Sequence, residues 1–178
     1  MTTGPVEDVL RAFATADLDG WSGLPDLTLD VVAAHLPVAA DVSGRGRLGS
    51  DRRPASWVAI DSHRFELGLR GWVDETDRVL LLEGRHPVSD DNQPLSVPDL
   101  GDPDLTLPVR LGRLTLDEAE WVYATRGLAV QVNPDNGLLL GLLAFGPTTA
   151  TTYVSRLRPQ HAAAPRPTVQ THRSGGLA

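Results

Sequence analysis

The chain lacks cysteine and lysine altogether and has one methionine in 178 residues; aromatics make up only 5% of it. Without cysteine there is no disulfide framework, no thiolate zinc site and no thiol nucleophile. The longest apolar run, Leu138–Phe145, is interrupted by Gly141 and falls far short of the ~20 residues that span a bilayer as a helix. Met1–Pro5 shows no basic stretch followed by an apolar core, so no signal peptide is read there, and the expectation is a soluble, cytoplasmic protein. All 16 basic residues are arginine and stand against 23 acids, a net charge of −7. That sign disfavours general binding to nucleic acid or to an anionic membrane. Exclusive use of arginine, with only three asparagines, points to a GC-rich genome of the actinobacterial kind.

What is present is enough for one packed domain. Hydrophobic residues make up 41% of the chain, and a chain of this length buries roughly 70% of its unfolded surface. Val6, Val9, Leu10 and Phe13 repeat at helical spacing behind Pro5, and Thr28 is placed to cap a second short helix carrying Leu29, Val32, Ala33 and Leu36 before Pro37. From Ser56 the period changes to two. Trp57–Ile60, the alternating Phe65, Leu67 and Leu69, and Val79–Leu82 predict strands of an antiparallel hairpin. After a Pro- and Asp-rich loop from about 87 to 108, the pattern returns as Trp121–Tyr123, Gly127–Val132, the turn Asn133–Gly137, and Leu138–Phe145. The last run is apolar on both faces and predicts a central strand. Residues 159–178, with two arginines and no acid, read as a disordered tail, which leaves −9 on residues 1–158.

The two strand regions align. Trp57-Val58-Ala59 matches Trp121-Val122-Tyr123 at a spacing of 64, and Leu67 matches Leu128 at 61, which suggests pseudo-repeats over about 27–86 and 95–147. On Leu27-Thr28-Leu29-Asp30-Val31 and Leu100-Gly101-Asp102-Pro103-Asp104, the chain resembles the small α+β repeat found in tandem in the β-lactamase inhibitor protein and singly in outer-membrane lipoproteins of the small-protein-A type. The resemblance implies a non-catalytic binding surface. Those families carry cysteines that this chain lacks, so no residue role transfers.

Candidate chemistry is sparse. Gly44-Arg45-Gly46-Arg47-Leu48-Gly49 has the G-x-G-x-x-G spacing, but the next residues, Ser50–Pro54, read as a loop and not as the helix that holds a pyrophosphate. Arg45, Arg47, Arg52 and Arg53 form a basic cluster that suits a phosphate or carboxylate, or simply a solvated loop pairing with nearby acids. Asp61-Ser62-His63 holds triad residue types on adjacent positions, which rarely converge, and reads as a surface turn. The five histidines show no ligand spacing, so no metal and no cofactor are expected. Asp117, Glu118 and Glu120 read as a solvated acidic run.

The expected fold is α+β, mainly antiparallel: about eight strands in two related halves, forming a curved sheet or small barrel with one or two N-terminal helices. The leading functional expectation is a non-enzymatic protein binding a hydrophobic small molecule, fatty-acyl or polyene-like, in the setting of natural-product biosynthesis. Its ligand would be lined by Trp57, Leu67, Leu69, Arg70, Trp72, Trp121, Tyr123 and Arg126. An open sheet edge would invite a homodimer. The alternatives are a protein–protein module of inhibitor or immunity type, whose acidic concave face would meet a basic partner and which needs a solid core, and a small cyclase, isomerase or hydrolase. The enzyme needs Glu66, Asp61 or Glu83 turned inward, and alternation sends Glu66 to solvent.

Overall fold

The computed structural model describes residues 5–100, 109–115 and 118–160, with the backbone alone for 109–115 and Glu118. Asp102, Asp104, Asp117 and the tail from 161 onward lie outside the described residues. Helix α1 (Val6–Ala14) begins after Pro5, with Glu7 and Asp8 complementing its N-terminal dipole, and buries Leu10 and Phe13. Helix α2 (Leu29–His35) follows Thr28 and buries Val32.

The strands β1 (Val38–Leu48), β2 (Arg53–Ile60), β3 (Leu69–Val73), β4 (Val79–Arg85), β5 (Val109–Thr115), β6 (Glu118–Tyr123), β7 (Leu128–Val132), β8 (Leu139–Phe145) and β9 (Pro159–Gln160) form one antiparallel sheet. Its order is β5-β6-β7-β8-β4-β3-β2-β1-β9, and it curls into a half-barrel. The expected α+β curved sheet is therefore present, and β8 is central, as its continuous apolar run requires. Each set of four strands is a meander, and the two meanders meet where β4 pairs with β8 through Glu83↔Leu143.

Three local expectations change. The G-x-G-x-x-G stretch lies mostly in β1 instead of a loop. Phe65 makes only an isolated bridge, and Gly68, at φ +99°, turns the chain before β3 starts at Leu69. Pro159–Gln160, expected in the tail, pairs with β1.

Both faces of the sheet are covered. On the first face, Ile60, Leu69, Leu82, Leu128, Val130, Leu142 and Ala144 pack with Leu10, Phe13, Trp21 and Val32 from the N-terminal helices and their connection. Phe13 lies between Trp21 and Phe65, at ring-centroid distances of 6.0 and 5.8 Å. On the second face, Leu48, Trp72, Leu81, Val122, Ala129, Leu143 and Phe145 pack against the C-terminal segment. That segment is helix α3 (Ala150–Thr152) continued by a π-helical turn, Tyr153–Leu157.

Candidate functional site

Strand registers lay three parallel rows across the second face. The first runs Gly44, Trp57, Trp72, Leu81, Phe145. The second runs Ala59, Arg70, Glu83, Leu143, Ala129, Val122, and the third Arg85, Gly141, Gln131, Glu120. Alternation brings every second residue of a strand to the same face, so Trp57, Arg70, Trp72, Glu83, Arg85, Glu120 and Gln131 share one surface.

The C-terminal segment closes this surface from above. The Tyr153 ring stacks on Phe145 with centroids 4.7 Å apart. Gly49 N–H donates to Arg158 O at 2.7 Å, Ser50 N–H to Val154 O at 2.9 Å and Asp51 N–H to Ser155 O at 3.0 Å. The β1–β2 turn thus anchors the covering turn along its length.

Three polar side chains are buried beneath it: Glu83, Glu120 and Gln131. Trp72 Nε1 donates to Glu83 Oε2 at 2.7 Å, and Arg85 Nη1 stands 4.0 Å from Glu83 Oε1. Gln131 Nε2 donates to Glu120 Oε2 at 3.3 Å, while Arg158 Nε lies 3.2 Å from Glu120 Oε1. The fully buried Tyr153 hydroxyl has no hydrogen-bond partner of good geometry. Burial first, and then the charge of Glu120, push its pKa well above the ordinary 10. The phenol therefore stays neutral, and the cluster consists of two carboxylates held by arginine, indole and amide donors around it. Among the described residues, no group of three or more histidine, aspartate or glutamate side chains is arranged to hold a metal ion.

The eight residues expected to line a ligand divide between the faces. Trp57, Arg70 and Trp72 come together on the second face, with the Arg70 guanidinium 4.1 Å from the Trp57 ring centroid. Leu69 and Tyr123 are buried in the first-face core and Trp121 packs against it. Leu67 is 57% exposed, and Arg126 closes a 3-10 turn, Ala124–Arg126. Glu120, read as part of a solvated run, is instead fully buried. Its sequence neighbours mislead, because the strand that carries it is covered on both faces. Gln131, Tyr153 and Arg158 carry no sequence signal for the cluster; they are joined only by the fold. Glu83 points inward, and Glu66 is exposed, though in the turn before β3 and not by strand alternation.

A second feature lies at the sheet's margin. Three of the four arginines of the basic cluster, Arg45, Arg47 and Arg53 but not Arg52, line an open groove of about 900 Å³ together with Gly46 of β1, Pro54 to Ser56 of β2, and Asp74 and Glu75 beyond β3. Beside it, β9 covers the outer edge of β1 only at Arg47 and Leu48. Gly49 N–H points toward β9, so strand alternation turns the amides and carbonyls of Arg47, Arg45 and Ser43 toward that same edge. Among the described residues, the edge groups of Ser43 and Arg45 have no strand opposite them. Ala40–Val42 bulge out of the β1–β2 ladder and bound this open stretch on the other side.

No family model, curated protein or solved structure matches the chain. No described helix is long and apolar enough to cross a membrane.

Proposed function

We propose that the chain is a non-enzymatic protein–protein interaction module that takes an extended segment of its partner onto the outer edge of β1. The observation that carries this reading is the edge itself: Ser43 and Arg45 present backbone groups outward, and among the described residues β1 is paired on that side only at Arg47 and Leu48. Such groups are a template for strand addition. The packing supports the same reading, since Phe145, Tyr153 and Leu48 fill the second face and the buried carboxylates are engaged by Trp72, Gln131 and Arg158. The likeness to the tandem repeat of the β-lactamase inhibitor protein points to a binding surface as well.

A second reading is favoured by the meeting of Trp57, Arg70 and Trp72: a binder of a hydrophobic small molecule, with Arg70 receiving a carboxylate head. It requires the covering turn to lift from the sheet. One experiment separates the two. Peptides are selected against the purified chain from a random display library, and the chain itself is weighed by native mass spectrometry. Strand addition expects selected peptides to slow hydrogen exchange at the Ser43 and Arg45 amides and to lose binding in Ser43→Pro, whose melting temperature reports whether it folds. Protection elsewhere, or a co-purifying organic molecule with no peptide selected, overturns it in favour of the second reading. A dimer dissociated by Ser43→Pro would make a second copy the occupant, and the partner-peptide reading would then fail.

A further inference from the structure

We infer that the groove beside β1 binds a small zwitterion of peptide size, its carboxylate on one wall and its ammonium group on the other. The strand register builds the walls. Arg45 pairs with Ser56 and Ser56 with Val73, so one row of the first face crosses β1 and β2 to the residue before Asp74. Arg47, paired with Pro54, stands two residues along β1 on the same face. Thus β1 supplies a basic wall, β2 a floor of Pro54 and Ser56, and the β3–β4 turn an acidic wall of Asp74 and Glu75. The backbones of the two walls are two strand spacings apart, about 10 Å. An extended chain of about three residues spans that distance. Arg53, opposite Leu48 in the register, sends its side chain to the other face and takes no part.

The opposed charges do not neutralise each other. Among the described residues, Arg45, Arg47 and Glu75 form no ion pair. Arg47 gives one donor to the Arg52 carbonyl at 2.9 Å, while the Arg45 guanidinium and the Ser56 hydroxyl make no hydrogen bond within the described chain. Asp74 engages its own loop through one oxygen: Oδ1 accepts from Thr76 Oγ1 at 2.7 Å, Thr76 N–H at 2.8 Å and Arg78 N–H at 3.1 Å. The Thr76 hydroxyl and amide hold its carboxyl below the ordinary range, so it is ionised at neutral pH. A ligand carboxylate takes guanidinium donors side by side, and a ligand ammonium brings three donors for Glu75 and for Asp74 Oδ2. A plain anion drawn to the arginines also meets the carboxylates, and a plain cation meets the reverse. Only a molecule carrying both signs in this order gains at both walls. The volume of about 900 Å³ lies in the upper part of the range of small-molecule sites, which suits a short peptide better than one amino acid. The site uses side chains on the first face and not the outer edge of β1, so it stands apart from strand addition.

The test titrates the full chain, isotope-labelled for NMR, with triglycine in four forms at matched ionic strength: both ends free, N-acetylated, C-amidated, and capped at both ends. Amide shifts report affinity and place together. Free triglycine is expected to shift Arg45, Ser56 and Glu75, and each cap to weaken binding about fivefold, the scale of an exposed charge pair. Arg45→Gln with Arg47→Gln should remove the penalty of amidation and leave that of acetylation. Glu75→Gln should reduce the penalty of acetylation and leave that of amidation. Unchanged shifts away from the groove show that the variants are folded. Binding indifferent to both caps, shifts confined to another surface, or no binding of any form overturns the inference. Sensitivity to amidation alone makes the groove a plain anion site and overturns it as well. Ser43→Pro, which blocks pairing at the edge, should leave triglycine binding intact. Loss of binding in that variant means that the peptide is taken up as a strand, which overturns the zwitterion groove and supports strand addition.

Discussion

The two meanders use the same strand scheme and close the second face in opposite ways. Counted outward from the Glu83–Leu143 pair, Trp57 occupies the place of Glu120, Trp72 that of Gln131, and Leu81 that of Gly141. In the β1–β4 half the aromatic rings lie across glycines: a Cβ on Gly44 would stand 2.6 Å from the Trp57 ring, and one on Gly46 would stand 2.7 Å from Trp72. In the β5–β8 half the polar Gln131 lies across Gly141 and reaches Glu120, and the C-terminal turn supplies the counter-charge through Arg158. The C-terminal segment covers both halves, but the aromatic half meets it with rings packed on its own glycines, while the polar half takes its counter-charge from it.

The largest effect expected from this difference falls on Arg158. Removing it in Arg158→Met strands the carboxylate of Glu120 in the core and should cost about 3–5 kcal/mol. Replacing both partners, in Glu120→Met with Arg158→Met, should recover most of the loss, because two apolar side chains need no desolvated counter-charge. Urea unfolding of the wild type and the three variants gives the coupling directly. If the two single losses simply add in the double variant, the ion pair is not what fastens the turn, and the contrast between the halves fails.

A smaller effect compares the glycines. Gly46→Ala drives a methyl group into Trp72, a buried side chain whose indole is also tied to Glu83, and should cost about 2 kcal/mol. Gly141→Ala meets Gln131 Oε1, the far end of a flexible side chain, and should cost about 1 kcal/mol, the order of a hydrogen bond disturbed but not abolished. Thermal unfolding ranks them, and a reversed order would mean that the polar half is the more rigidly packed.

Much of the fold was legible wherever periodicity and burial agree. Leu10 and Phe13 announced α1, and the unbroken apolar run at Leu139–Phe145 announced a central strand, because only a strand covered on both faces has no polar side. The same coverage hid the site. On β6, Glu120 and Trp121 point to opposite faces and both meet packed protein, so polarity no longer separates inside from outside. Aligning Trp57 with Trp121 is wrong by one residue in the strand register, where Trp57 corresponds to Glu120, and a one-residue slip exchanges the faces. The Gly- and Arg-rich stretch of β1 has poor strand propensity and is extended because β2 pairs with it, a tertiary effect overriding a local one. Arg158 and Tyr153 follow the last periodic segment, and no pattern in sequence joins them to a carboxylate more than 30 residues upstream.

The smallest effect at neutral pH is at Tyr153, and it grows with alkalinity. Its folded pKa lies well above the unfolded value of about 10, because burial and the nearby Glu120 charge oppose the phenolate. The folded and unfolded chains bind this proton equally below pH 10, so its contribution is complete there. Above pH 10 the unfolded chain releases the proton and the folded chain keeps it. Stability then falls as pH rises, by up to about 1.4 kcal/mol per pH unit for this one group. Tyr153→Phe deletes a buried hydroxyl that has no good partner, so at pH 7 it should be neutral or slightly stabilising. Between pH 10 and 11 its advantage over the wild type should widen. Unfolding free energies measured across that interval, with phenolate absorbance followed in parallel, check both statements. An ordinary midpoint for the Tyr153 phenolate in the folded chain would mean that water reaches it, and that the C-terminal turn does not seal the polar half.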